Sequence, residues 1–162
     1  DPREASITNI CLAVKEIITR DGPLTLASVY RLYMEGCPHI QRAGRAVRER
    51  LDRAVRTLVK AGEIIQEDEL GTGKPEGIVV RMAGAPSVRL RPAGRRKLEE
   101  IPPSEILLLV ERLHSHVTGT GPEHEERLMR KILEHYGFSQ LTRTRRKYLH
   151  DLLKQFKKGL TK

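Results

Sequence analysis

Few residues in this chain are spaced for covalent chemistry. His114, His116, His124 and His135 cluster late in the sequence, but His114 and His116 stand two apart on an expected helix. They therefore face different ways and cannot clamp a metal as an i, i+4 pair would. His124 sits among Glu123, Glu125 and Glu126 and reads as part of the charged start of a helix. The run Gly71-Thr72-Gly73-Lys74-Pro75 imitates a phosphate loop. Asp68 stands where the leading glycine should be, however, Pro75 replaces the Ser or Thr, and no helix follows. No Ser/His/Asp, Cys/His or paired-carboxylate arrangement stands out. The expectation is a chain with no catalytic residues, no metal site and no cofactor.

The residues that remain are cations. Lys and Arg number 30 against 21 Asp and Glu, for a net charge of +9, which points to a polyanionic partner. Arg42, Arg45, Arg48 and Arg53 lie on one arginine-rich stretch, and Arg143, Arg145, Arg146 and Lys147 on another. Lys74 stands alone in a turn. Aromatic residues make up only 4% and Trp is absent, so stacking platforms for single strands are not expected. Duplex DNA is the expected partner, although charge by itself does not separate it from structured RNA.

Local elements must position these cations. From Arg42 to Ala61, Val47, Leu51, Ala54, Val55 and Leu58 recur at spacings of three and four, which predicts an amphipathic helix. Arg42, Arg45, Glu49, Asp52, Arg53 and Arg56 point away from its apolar face. Glu49 is four residues from Arg45 and Arg53, and Asp52 four from Arg48 and Arg56, so a helix neutralised along its own length is the competing reading. Gly62 ends this helix. Strands over Glu63–Glu67 and Gly77–Met82 bracket a Gly- and Pro-containing tip, predicting a hairpin where a wing would stand. Two helices come first, Ile7 to Arg20 capped by Ser6, and Thr25 to Glu35. A short strand or extended segment is expected near Ser87–Arg91, and Arg95, Arg96 and Lys97 are read as a basic linker.

The second half restarts the pattern, with a helix opened by Pro102-Pro103-Ser104 and carrying Ile106, Leu109, Val110 and Leu113, further helices expected from Glu123 to His135 and Thr142 to Lys157, and a loop over Thr118–Pro122. Ile10–Ile17 echoes Ile106–Leu113, Gly22-Pro23 echoes Gly121-Pro122, Ile40 echoes Phe138, and Leu51 echoes Leu149. The fold class is therefore mostly α with a small β-hairpin, as tandem helix-turn-helix modules. A winged-helix module spans 1–92, a linker 93–104, and a wingless three-helix copy 105–162. In that copy Arg143 and Lys147 share the face opposite Leu149, while Arg145 and Arg146 lie nearer the core.

No apolar run approaches the roughly twenty residues that cross a bilayer. Cys11 and Cys37, without CxxC spacing, read as buried thiols of a reduced cytoplasm. The start at Asp1-Pro2-Arg3 is expected of a piece of a longer protein.

Three stretches carry a resemblance: Glu99-Glu100-Ile101-Pro102-Pro103-Ser104-Glu105-Ile106, the Gly-Pro loops, and Gln41-Arg42-Ala43-Gly44-Arg45-Ala46-Val47. Together they resemble the repeated carboxyl-terminal module of large bacterial proteins that join a superfamily 1 helicase core to a restriction-endonuclease-like domain. The resemblance implies an accessory, non-catalytic module in DNA processing or defence against foreign DNA. It also implies partners in the helicase and nuclease domains of the same polypeptide and a cytoplasmic, nucleoid-associated location. The second copy departs from the motif, with Gln140-Leu141-Thr142-Arg143 where the first has Arg42-Ala43-Gly44-Arg45. Two alternatives accompany the DNA reading. One is a protein-interaction or dimerisation module using Ile7, Ile10, Ile17 and Ile18 as an exposed seam, and the other a stand-alone transcriptional regulator with a palindromic site.

Overall fold

The computed structural model describes residues 1–114, 119 and 121–160, the side chains of 159 and 160 excepted. It is mostly helical with one small antiparallel sheet, and it divides into two compact units, Asp1–Ser87 and Val88–Lys162.

Unit 1 begins with α1 (Ile7–Asp21), whose Ser6 cap accepts a hydrogen bond from the Asn9 N–H. A two-residue strand, β1 (Leu24–Thr25), leads into α2 (Leu26–Glu35), where the Thr25 side chain accepts from the Ser28 N–H. Then come α3 (Arg45–Lys60), β2 (Ile64–Asp68) and β3 (Ile78–Met82). The sheet order is β1-β3-β2, with Leu24 opposite Val80 and Gln66 opposite Val80 from the other side. The third strand, β1, was not expected from the sequence. Two residues are too few for an alternating pattern to register.

The core of unit 1 joins Ile10, Val14, Ile18, Leu24, Val29, Leu51, Val55, Leu58, Ile64 and Val80. The expected seam on α1 is thereby overturned, since Ile10, Ile17 and Ile18 are buried and Ile7 packs against the same core. Cys11 and Cys37 are half-buried rather than buried. Burial, and secondarily the negative charge of Glu63, pushes the Cys11 thiol up from its ordinary pKa, which disfavours the reactive thiolate.

Gly62 stops α3 in the way its position foretold. With φ at +73° it turns left-handed, the Glu63 N–H donates to the Leu58 carbonyl, and the Gly62 N–H donates to that of Val59. Gly137 repeats this at the end of α5, with φ +80° and the Phe138 N–H donating to Leu133 at 2.8 Å.

Unit 2 holds α4 (Pro103–Leu113), α5 (Pro122–Tyr136) and α6 (Arg143–Leu160). The segment 93–104, expected as a linker, is instead part of this unit. Ala93, Leu98 and Ile101 are buried, and Leu98–Glu100 forms a single 3-10 turn. Apolar side chains at these positions gain more from burial than a solvated tether would allow. Ser87 is a bend and residues 88–91 are irregular, so the segment expected as a short strand or extended run joins no sheet. The two Gly-Pro pairs serve different joints: Gly22-Pro23 lies between α1 and β1, while Gly121 caps α5 and Pro122 opens it.

The apolar core of unit 2, which includes Leu98, Ile106, Ile132, Leu149 and Leu153, encloses a buried carboxylate. Glu105, 2% exposed, accepts two hydrogen bonds from Arg96, Nη1 to Oε1 at 2.9 Å and Nη2 to Oε2 at 3.1 Å. The Tyr136 hydroxyl donates to Oε2 of the same carboxylate at 2.8 Å. Arg96 also donates to the carbonyls of Pro92 at 3.0 Å and Ala93 at 3.2 Å. The basic cluster 95–97 is therefore not uniformly a surface feature, because its middle arginine ties the irregular entry segment to α4 and, through Glu105, to Tyr136 of α5.

Candidate nucleic-acid interface

Charge is distributed very unevenly over these elements. Helix α3 carries six cations against two carboxylates, net +4, and α6 seven against one, net +6. Together they exceed the +9 of the whole chain, which leaves everything else at −1. Neither helix has an acidic residue in its first turn, where the macrodipole favours carboxylates and penalises cations. Helix stability alone does not account for that arrangement.

On α3 the buried face is formed by Val47, Leu51, Ala54, Val55 and Leu58. One competing neutralisation is realised: Arg45 Nε donates to Glu49 Oε1 at 2.9 Å, with the Arg45 side chain 93% exposed. The other is not. Asp52, the second carboxylate, accepts a hydrogen bond from the Tyr30 hydroxyl on α2, and burial raises its carboxyl pKa, with Arg56 pulling the other way. Arg48, Arg53, Arg56 and Lys60 consequently stay exposed and form no ion pair among the described residues. Arg50 turns the other way and donates to the carbonyls of Pro2 and Ala5. Nothing local in the sequence marked Tyr30 as the partner of Asp52, since the two lie 22 residues apart.

Arg42 is exposed but does not belong to the helix. Gly44 caps α3 in an extended conformation without a side chain to bond, and residues 41–44 are irregular. The expected start at Arg42 thus moves to Arg45, because glycine is the poorest non-proline residue for carrying a helix through. A recess of about 480 Å³ joins Gln41, Arg48 and Tyr30 to Pro75 and Glu76 of the hairpin. The Ala27 N–H donates to the Pro75 carbonyl at 3.2 Å, which draws the hairpin tip against the first turn of α2.

The hairpin is a poorer cationic surface than its position suggested. From Glu63 to Met82 five carboxylates face only Lys74 and Arg81, and Arg81 lies 3.5 Å from Glu67. The tip is held by Asp68, whose carboxylate accepts from the Gly71 and Gly73 N–H groups at 3.0 and 2.8 Å. Lys74 is exposed and makes no ion pair among the described residues.

In unit 2 the four expected cations separate. Arg145 donates to the Gln140 carbonyl at 2.7 Å and lies 4.8 Å over the Phe138 ring, a structural engagement. Arg146 pairs with Glu126 at 3.2 Å, and with Arg130 it pulls that carboxyl below its ordinary pKa. Arg143 and Lys147 are exposed, form no ion pair among the described residues, and share a recess of about 510 Å³ with Glu99, Thr144, Tyr148 and Asp151.

The repeat expected from the sequence sets α6 against α3. With Leu51 matched to Leu149, Arg45 corresponds to Arg143, Arg48 to Arg146, Arg56 to Lys154 and Lys60 to Lys158. The two carboxylates of α3 have no acidic counterpart, as Lys147 replaces Glu49 and His150 replaces Asp52.

The histidines do not converge. His114 and His124 meet edge to face at 6.3 Å, His135 packs on Tyr136 at 4.8 Å, and His150 reaches Glu125 at 2.8 Å. His124, expected as an exposed helix-start residue, is half-buried, and its Nδ1 has no hydrogen-bond partner among the described residues. His116 and most of the Thr118–Pro122 loop lie outside the described residues. Among those described, no group of three potential metal ligands forms, and no helix is long and apolar enough to cross a membrane. Comparison with protein-family models, curated proteins and solved structures yields no match.

Proposed function

We propose that this chain is a non-catalytic duplex DNA-binding protein, built as a winged-helix module followed by a wingless helix-turn-helix copy. The observation that carries the reading is the concentration of the entire net positive charge on α3 and α6, the corresponding helices of the two copies. In unit 1 the order α1-β1-α2-α3-β2-β3, with β1 on the far side of β3, supports a winged helix. There α3 is the recognition helix. Its exposed cations Arg48, Arg53, Arg56 and Lys60 contact phosphates, with Arg45 and the preceding Arg42 at the amino end and Lys74 as a single contact from an otherwise acidic hairpin.

These arginines serve phosphates as readily as guanines. Only Gln41 and Gln140 supply amides near the starts of α3 and α6, so the reading is of backbone contact rather than of a base sequence. The resemblance to helicase-associated modules supports an accessory role in a larger DNA-processing or anti-foreign-DNA protein of the bacterial cytoplasm. Burial of Ile10, Ile17 and Ile18 takes away the seam on which a dimerisation module would rest.

The test is fluorescence anisotropy of the chain with random-sequence duplex DNA from about 50 to 200 mM salt. Affinity should fall steeply with salt. In Arg53→Gln plus Arg56→Gln the logarithmic slope should flatten by about 1.8, at roughly 0.9 per phosphate contact. Absence of binding at the low-salt end would remove the reading.

A further inference from the structure

Helix α6 is more basic than α3, and its charges are arranged along it rather than gathered at one end. The buried side is fixed by Leu149, Leu152 and Leu153. At 100° per residue, Arg143, Lys147, Lys154 and Lys158 fall within an arc of about 60° on the opposite side. All four are exposed, and Arg143, Lys147 and Lys154 form no ion pair among the described residues. The row runs about 16 Å from Arg143 to Lys154 and about 22 Å to Lys158, at 1.5 Å per residue.

Its flank is held by α5. Glu126 takes Arg146 at 3.2 Å and Glu125 takes His150 at 2.8 Å, so these two carboxylates of α5 are engaged beside the row. Asp151 is the sole carboxylate on α6, and it shares with Glu99 the recess that Arg143 and Lys147 line.

Resting on the DNA reading above, we infer that α6 is a second, sequence-independent site for the phosphate backbone of duplex DNA, engaged lengthwise through Arg143, Lys147 and Lys154. A duplex presents about one charge per 1.7 Å of axis, so a rigid row of this length always meets several phosphates. A single strand would need stacking partners, and the row contains no aromatic residue. A lipid surface would need an apolar face, which α6 spends on its own core. Replacement of Glu49 and Asp52 by Lys147 and His150 at corresponding positions makes this copy the stronger phosphate binder.

The experiment compares the full chain with Arg143→Gln/Lys147→Gln/Lys154→Gln on random-sequence duplex DNA across the same salt range. All three changes lie on the exposed side, and loss of a first-turn cation relieves the helix dipole. Thermal unfolding of the variant should therefore match or exceed that of the parent. The slope of log affinity against log salt should flatten by about 2.7, at roughly 0.9 per contact. Arg143→Lys/Lys147→Arg/Lys154→Arg, which keeps the charges, should retain it. An unchanged slope in the glutamine variant, with the slope still flattened by Arg53→Gln plus Arg56→Gln, would overturn the α6 site and leave the α3 reading standing. A parent chain that binds phosphatidylserine vesicles or duplex RNA but not duplex DNA would overturn both.

Discussion

Glu105→Ala tests whether the polar centre of unit 2 holds that unit together. The carboxylate is 2% exposed and the Arg96 side chain 11%. Removing the carboxylate strands a guanidinium that water reaches poorly. It also takes the acceptor from the Tyr136 hydroxyl, and Tyr136 is itself buried. Breaking a buried ion pair by deleting one partner costs about 3–5 kcal/mol, and the orphaned hydroxyl places this case toward the upper end. Part of the effect belongs to Arg96 alone, since it also donates to the Pro92 and Ala93 carbonyls. A double-mutant cycle with Arg96→Met and Glu105→Leu isolates the pair and should return a coupling above about 2 kcal/mol. Urea unfolding should be followed by amide-resolved NMR over Val88–Lys162, because two compact units need not unfold in one transition. A cost for Glu105→Ala below about 1 kcal/mol, or a coupling near zero, would refute the argument.

Two further outcomes follow from the same contacts. Burial raises the Asp52 carboxyl pKa, so the fold favours its protonated form. The associated stability is present below the ordinary aspartate value of about 3.9 and is lost as pH rises through the raised one. Asp52→Asn keeps an acceptor for Tyr30, and it should melt no lower than the parent at neutral pH, with any advantage vanishing in acid. It should also tighten duplex DNA binding by removing a negative charge from α3; weaker binding would contradict the proposed face. Burial first, then the charge of Glu105 and the bond to it, pushes the Tyr136 hydroxyl well above the ordinary tyrosine value. Its contribution is therefore complete below about pH 10 and is lost only as pH rises through the shifted value. In an ultraviolet titration Tyr136 should ionise last of the four tyrosines, with unfolding of unit 2, and Tyr136→Phe should delete that step. Joint ionisation of all four near pH 10 would contradict it.

The local elements were legible in the sequence because they rest on local physics. Among the described residues apolar spacing placed the six α-helices, with α3 three residues too long at its start, and Ser6 and Gly62 marked ends through bonds to nearby backbone. The hairpin and the basic character of the stretches that became α3 and α6 were also in the order of residues. Three decisions belonged to the tertiary structure. Asp52 goes to Tyr30 rather than to Arg48 or Arg56, Arg96 goes to Glu105 and Tyr136 rather than to a solvated linker, and β1 exists only by pairing with β3. Each joins residues well apart in the chain or depends on burial from another element, and a pattern read along the sequence has no access to either. The sequence thus determined which helices carry the positive charge. Only packing decided which of their cations are neutralised and which remain exposed.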